Sequence, residues 1–590
     1  MTGPRDPFAH LHDEAYADAF AGPGIGWRDA VAMGGRRRLS LAGRWRFTPD
    51  LFDEGLRQRW FELEPAPPST WDRPRDYDGE GAETLDVPAC WTCARPDRRF
   101  FEGSAWYARD FEWAPGRADR LVLRVGAANY EARVFLNGRF LGSHRGGSTP
   151  FFVELTARVR NGANHLLIQV NNERRADRVP MRHFDWFNDG GLYREIDLVP
   201  LPSVFIRAFH VSLAPRGIAA EVVLSDPVSG TARVAIPGLG VAFDVPVADG
   251  RGTAAAEAAP ARWAPETPRL YEVEARFGQD RILDRVGFRE IRVDGTDILL
   301  NGEPLYLRGV CVHEDDVALG KVTSDGDIRR RLAHARELHC NFLRLVHYPH
   351  HERVAELADE HGCLLWAEIP VYWAIDFANP DTYADAENQL LELIARDRNR
   401  VSVVVWGIGN ENADTDARYA FMSRLAAAAR AADPARLVGA ACLINREAFR
   451  IEDRLAARLD ILGLNEYFGW YERDFAGLER LLANSRPDRP VVVTEMGADA
   501  LAGFHGGADE LFTEECQAEV YRRQLQILDR AAYVRGVCPW ILYDYRSERR
   551  QTRYQRGFNR KGLIAEDKTT KKLAFGVLRD HYAKRAARVP

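Results

Sequence analysis

Two glutamates in this chain stand where a buried strand would deliver an acid to the mouth of a barrel. Glu411 closes the run Asp397-Arg-Asn-Arg-Val-Ser-Val-Val-Val-Trp-Gly-Ile-Gly-Asn-Glu. Within it, Val401 to Val405 reads as a strand covered on both faces, and Trp406, two glycines and Asn410 open it into a loop. Glu495 closes Val491-Val-Val-Thr-Glu-Met-Gly in the same way. Two carboxyls flanking one bond can hydrolyse a glycoside: one protonates the leaving oxygen while the other attacks the anomeric carbon or activates water. The bland alternative is two glutamates satisfied by rim arginines. It accounts poorly for two acids that each follow a run of valines, because acids at the strand ends of a barrel serve catalysis.

Other side chains fall at the same kind of position. His313 follows one apolar run, Arg344 and His347 the next, and Glu368 a third; Asn410, Asn465, Tyr467 and Trp540 close later ones. Carboxylates, amides, imidazoles and rings suit a sugar, whose C–H face stacks on aromatics while its hydroxyls take hydrogen bonds. For the histidines the alternative is a buried ring satisfied by a barrel carbonyl, and Glu368 reads equally well as a salt-bridge partner of Arg344. No Gly-rich phosphate loop, Gly-x-Ser-x-Gly elbow or His-Glu-x-x-His helix accompanies them. Two-carboxylate chemistry requires no metal or cofactor, and none is expected.

The elements that must position these residues follow from periodicity. From residue 293 to 590, strands beginning near Leu305, Cys340, Leu364, Ser402, Val438, Ile461, Val491 and Val537 alternate with helical patterns such as Asp327 to Leu338, His351 to His361 and Tyr383 to Arg396. Eight such units predict a (β/α)8 TIM barrel with its site at the C-terminal strand ends. Residues 1–202 show short alternating segments, among them Leu121-Val-Leu-Arg-Val, Glu131-Ala-Arg-Val-Phe-Leu and His165-Leu-Leu-Ile-Gln-Val, with Asn137-Gly138 as a hairpin turn. They predict a jelly-roll-like β-sandwich. Its loop His183-Phe-Asp-Trp-Phe-Asn-Asp-Gly-Gly-Leu-Tyr-Arg reads either as a sugar contact or as a structural corner. Residues 203–292 predict a small Ig-like sandwich acting as a spacer, with strands Ala219 to Leu224, Thr231 to Ile236 and Tyr271 to Phe277 and a surface loop from Val247 to Pro268.

A chain of 590 residues is too long for one core, and 46% hydrophobic with 28% charged residues is an ordinary globular composition. A net charge of −6 gives no electrostatic reason to expect nucleic acid. Arg36 to Arg38 and Lys584 to Arg588 read as solvated basic runs. The eight cysteines are scattered, and the single Cys-x-x-Cys at Cys90 and Cys93 has no second pair to complete a zinc site. Met1 to His10 lack the apolar core of a signal peptide and no later run reaches the length of a membrane span, so a soluble, cytoplasmic protein without a membrane partner is expected. Homo-oligomerisation is left open by the sequence.

Asp397 to Glu411 resembles the acid/base signature of glycoside hydrolase family 2 in residue type and spacing, and Asn341-Phe-Leu-Arg-Leu-Val-His-Tyr-Pro resembles that family's other signature, departing from it at Leu345-Val346. Phe101-Glu-Gly-Ser-Ala-Trp-Tyr, Trp263-Ala-Pro-Glu-Thr-Pro, Gly287-Phe-Arg and Asn301-Gly-Glu-Pro-Leu-Tyr-Leu-Arg-Gly-Val extend the similarity over nearly the whole chain. Within the family the resemblance is closest to β-glucuronidases. Thr494 to His505 is similar to their nucleophile segment and Asn465-Glu-Tyr-Phe-Gly-Trp-Tyr471 to their strand 6 loop, and Asp185 matches the acid that reaches the sugar from the N-terminal domain. Asn559-Arg-Lys561 fits the Asn-x-Lys pair that recognises a uronate carboxylate. The resemblance implies a retaining exo-hydrolase of β-D-glucuronides with Glu411 as acid/base and Glu495 as nucleophile. Asn410 would hold the 2-hydroxyl, Tyr467 would bond near the nucleophile, and His313, His347, Tyr471 and Trp540 would line the pocket around a small-molecule or oligosaccharide glycoside. Asn-x-Lys also occurs in neutral-sugar members, and Pro539-Trp-Ile-Leu-Tyr-Asp-Tyr-Arg departs from the glucuronidase pattern. An exo-β-galactosidase or a β-galacturonidase is therefore the alternative, and a non-catalytic carbohydrate-binding protein the remote one. The short connection after Glu368, with Asn379-Pro380-Asp381 as its turn, leaves no room for a long lid and predicts an open mouth that accepts a large leaving group.

Overall fold

The computed structural model describes residue 20 and residues 24–62, 81–114, 116 and 118–587. Met1 to His10 and Arg588 lie outside that range. At the N-terminal end a six-stranded and a four-stranded sheet share one core, in which Trp45, Tyr107, Val134 and Ile168 of the larger sheet meet Leu123, Val153 and Leu198 of the smaller. Asn137 and Gly138 take φ of 51° and 75° and join Glu131–Leu136 to Arg139–Arg145, the left-handed pair that a tight hairpin requires. The aromatic loop runs between strands Gly162–Asn171 and Ile196–Leu201. Its Phe184 and Trp186 leave the sandwich core and pack with Cys311, Tyr348 and Trp540 of the barrel.

The next region is a second sandwich of a three-stranded and a four-stranded sheet. Gly217–Leu224, Gly230–Ile236 and Tyr271–Phe277 are strands as expected. The expected loop from Val247 to Pro268 is corrected: Arg251–Glu257 is a strand paired along Gly217–Val223. Its alanines and glycine carry little side-chain signal of a strand, yet Ala254 and Ala256 lie on the core. The pairing satisfies the backbone where composition alone suggested a loop.

Eight parallel strands then close a barrel. They are β1 (Leu307–Val312), β2 (Phe342–Leu345), β3 (Leu364–Glu368), β4 (Val403–Asn410), β5 (Leu437–Cys442), β6 (Ile461–Asn465), β7 (Val491–Glu495) and β8 (Val534–Val537). Phe342, Leu364, Trp366 and Val492 point into the barrel, while their neighbours Leu343, Leu365 and Val493 face the helical layer. Both faces of each strand are covered, which is why the sequence shows runs of valine rather than alternation. One expected helix is missing: β5 is followed by a small hairpin, Ile444–Asn445 with Arg450–Ile451, and a tight turn at Arg454–Arg458. Asp453 pins that turn, pairing with fully buried Arg418 and accepting the Leu455 N–H at 2.9 Å. No helix among the described residues is long and apolar enough to cross a membrane.

Candidate active site

The acid ends of β4 and β7 are both irregular. Pairing of β4 with β5 skips from Gly407 to Asn410, and pairing of β6 with β7 passes over Thr494 to reach Glu495. A bulge re-aims the side chains that follow it, so Asn410 and Glu411 need not alternate to opposite faces. Glu411 itself sits at φ 52°, a left-handed conformation uncommon outside glycine and concentrated at functional sites. Gly407 permits the close approach of β3: a Cβ there would lie 2.2 Å from Trp366 Nε1 and 2.5 Å from Glu368 Cβ.

Half-buried Glu411 accepts the Trp373 indole N–H on Oε2 at 2.8 Å. The turn carrying Trp373 is tied to the same strand. Trp373 N donates to Asn410 O at 2.9 Å, and Asn412 Nδ2 donates to Trp373 O at 2.9 Å. Glu495 is buried at 5% exposure, and each of its oxygens has one strong donor: Arg344 NH1 at 3.0 Å on Oε1 and the Tyr467 hydroxyl at 2.7 Å on Oε2.

Arg344 is the hub of the site. Its five N–H donors are all used, on both oxygens of Glu368, on Asn410 Oδ1, on the Thr494 carbonyl and on Glu495. One fully buried guanidinium thereby fixes β2, β3, β4 and β7 relative to one another. Asn465 extends the network, donating to Asn410 Oδ1 at 3.1 Å and accepting from Thr494 Oγ1 at 2.7 Å. Burial and neighbouring Glu411 push the Glu495 carboxyl up to about 8, against Arg344 and Tyr467, which favour its anion. Burial, followed by Glu495, raises the Tyr467 phenol well above its usual range, so it stays a donor.

The histidines are neutral. Burial, then the charge of Arg344, drives His347 well below its ordinary value, and burial with His347 beside it does the same to His313. His347 Nδ1 lies 2.7 Å from Glu368 Oε1, which assigns the proton to Nδ1 and leaves Nε2 as an acceptor, 3.8 Å from Glu495. The ring stacks on Trp540 at 5.0 Å and lies 5.7 Å from Trp186. His313 Nδ1 meets the Tyr348 hydroxyl at 3.2 Å, and its Nε2 is buried without a partner. Neither ring is spent on a barrel carbonyl, and an orphaned buried nitrogen on a ring packed against His347 and Trp540 is what a substrate hydroxyl would satisfy.

At the far side of the mouth, two cation–carboxylate pairs surround one phenol. Lys561 Nζ pairs with Asp499, both side chains at 1% exposure, and donates to Tyr471 Oη at 3.0 Å. Burial alone would pull the Lys561 ammonium down; Asp499 holds it above its ordinary value. Arg550 grips Asp185 and reaches Tyr471 Oη at 3.3 Å, while Ser547 Oγ donates to Asp185 at 2.6 Å. Asn559 Oδ1 accepts the Lys561 backbone N–H at 3.1 Å, fixing the turn that carries the lysine.

The structure therefore gathers Asn410, Glu411, Asn465, Tyr467, Glu495, His313, His347 and Trp540 around the strand ends, with Asp185, Tyr471, Asn559 and Lys561 in the adjoining cluster. Glu368 is a salt-bridge partner of Arg344, as one reading of the sequence had it. Sequence reasoning passed over Asp499, Arg550 and Trp373. Asp499 lies within the nucleophile segment and could have been matched to Lys561 by charge. Arg550 reads as one more surface arginine in Arg549-Arg550, and only the fold shows its partner.

Comparison with known proteins agrees with this geometry. The family model described as glycosyl hydrolases family 2, TIM barrel domain, matches residues 291–586, and that described as glycosyl hydrolases family 2, sugar binding domain, matches residues 39–202. A β-glucuronidase of Paenibacillus borealis is 29% identical over 605 residues, covering 91% of this chain and 96% of that protein. The Homo sapiens β-glucuronidase is 28% identical over 613 residues, covering 93% and 91%. The Ruminococcus gnavus β-glucuronidase solved with D-glucuronic acid shares the fold, with a TM-score of 0.82 at 24% identity, covering 95% of this chain and 100% of that one. With sugar-binding sandwich, acid-tipped barrel and both family models in agreement, the chain is a glycosidase belonging to glycoside hydrolase family 2.

Proposed function

We propose that this enzyme hydrolyses β-D-glucuronides from their non-reducing end with retention of configuration. The observation that carries the mechanism is the different setting of the two acids. Glu495 receives a guanidinium and a phenol, donors that favour its anion, whereas half-buried Glu411 receives neutral N–H donors on one oxygen, the Trp373 indole N–H at 2.8 Å and the Asn410 amide at 3.5 Å. Glu495 attacks the anomeric carbon as Glu411 gives its proton to the leaving oxygen, breaking the glycosidic bond and forming a glycosyl-enzyme ester. Water then attacks that carbon, Glu411 takes the water proton, and Glu495 leaves as a carboxylate. Asn410 Nδ2 and His347 Nε2 serve the sugar hydroxyls.

The glucuronyl carboxylate is assigned to the Lys561, Tyr471 and Arg550 cluster, where cations and a phenol donor offset its desolvation. The relatives named β-glucuronidase support this reading. A neutral-sugar exo-glycosidase is the second reading, favoured because Asp499 and Asp185 already neutralise both cations. A panel of 4-nitrophenyl β-glycosides separates the two: turnover of the glucuronide above the galactoside and galacturonide is expected, and a preferred neutral sugar would overturn the uronide assignment. Proton NMR of the first-formed product tests retention, which predicts the β-anomer. Glu495→Gln should abolish turnover while ligand binding persists; an unchanged rate would mean that the chain acts by other residues.

A further inference from the structure

The turn Ser547-Glu548-Arg549-Arg550 borders the site, and three of its four side chains are tied to the N-terminal sandwich. Ser547 and Arg550 hold Asp185, and Glu548 pairs with Arg174. Arg549 differs. It is exposed, no carboxylate lies within ion-pair distance of it among the described residues, and its guanidinium carbon stands 4.7 Å from the centroid of the Trp373 ring. That indole is stacked on Tyr372 at 4.5 Å and donates to Glu411 Oε2. Tyr372, Trp373 and Arg549 thus form a stack whose outermost group is an unpaired cation, held in place by the ring and by the anchored turn on either side of it.

The inner ring of this stack, Tyr372, lies 4.9 Å from His347 in the sugar pocket, while Trp373 adjoins the acid/base carboxyl and carries the stack outward to Arg549. Glu495, Tyr467 and Arg344 lie on the nucleophile side, and Lys561, Tyr471, Arg550 and Asp185 make up the uronate cluster. A general acid must sit against the glycosidic oxygen, so the group bonded to Glu411 on its other side is the first to meet what hangs from that oxygen. We propose that Trp373 and Arg549 form the subsite for the leaving group, and that the leaving residue carries an anionic substituent, a carboxylate or a sulfate. The proposal rests on Glu411 being the acid/base. It does not depend on which sugar is released. An exposed guanidinium already desolvated on one face by an indole presents a planar fork of donors, the geometry that matches carboxylate and sulfate oxygens.

The test uses three aryl β-glycosides that differ only at the aryl 4-position, bearing carboxylate, sulfate or the uncharged carboxamide. They are built on whichever glycone the enzyme turns over, so failure of the glucuronide reading leaves this comparison intact. For each substrate kcat/KM of the wild type is divided by that of Arg549→Ala, which cancels differences in leaving-group acidity. The ratio should be about fivefold larger for an anionic aglycone than for the carboxamide, the scale of one exposed ion pair, and larger again for Arg549→Glu. Added salt should shrink the difference. An excess confined to one anion supports the subsite and identifies its substituent. Equal ratios for all three substrates, with the variants melting as the wild type does, would overturn it.

Discussion

Removing the charge of Lys561 should have two separable consequences, because the lysine is committed to Asp499 before any substrate arrives. Both side chains are 1% exposed, so Lys561→Met strands a carboxylate. Asp499 Oδ1 keeps Gln555 Nε2 at 3.2 Å and the Arg560 N–H at 3.1 Å, but Oδ2 loses its cation. Breaking a buried pair from one side costs ~3–5 kcal/mol, and the two remaining donors place this case at the lower end. The single variant should melt well below the wild type. Adding Asp499→Asn removes the stranded charge, and the double variant should recover most of that loss. Selectivity should not recover. A uronate carboxylate deprived of a charge-assisted hydrogen bond loses about 1.5–3 kcal/mol, so the glucuronide-to-glucoside ratio of kcat/KM should fall by about 10- to 150-fold in both variants. Differential scanning fluorimetry and the nitrophenyl pair measure the two effects independently. A double variant that melts like the wild type and keeps its preference for the uronide would refute Lys561 as the carboxylate contact.

Three further outcomes are expected. Tyr467→Phe removes the 2.7 Å donor on Glu495 and should lower kcat/KM by about 10- to 150-fold; because that donor favours the anion with which Glu495 attacks, the acidic limb of the pH profile should also move upward. The raised Glu495 carboxyl gives stability that is complete below its unfolded value near 4.5 and is lost as pH rises through about 8. The melting difference between Glu495→Gln and the wild type should therefore move in favour of the variant from pH 5 to pH 9, and a constant difference would rule out a buried, raised carboxyl at this position. Glu411→Gln should cost about 10²–10⁴ in kcat with an alkyl aglycone and less with 4-nitrophenol, which needs little protonation on departure.

The reach of the sequence is clearest at β4 and β7. Valine runs buried on both faces, closed by an amide, glycines or an acid, are local patterns, and they were enough to place Glu411 and Glu495 at barrel strand ends and to give the order of sandwich and barrel. The same patterns failed where composition was weak: Arg251–Glu257 is a strand made of small residues, and the stretch after β5 is a turn pinned by a buried Arg418–Asp453 pair. What only the tertiary structure decided is pairing. Arg344 spends its five donors on three other strands, Asp185 crosses from the sandwich to Arg550, Asp499 claims Lys561, and Arg549 is left on Trp373 without an acid. Secondary-structure periodicity is set by neighbours a few residues apart, so one chain of letters carries it. Charge partners in this site lie tens to hundreds of residues apart, and which carboxylate meets which cation is settled by the desolvation cost of leaving either alone in a closed fold.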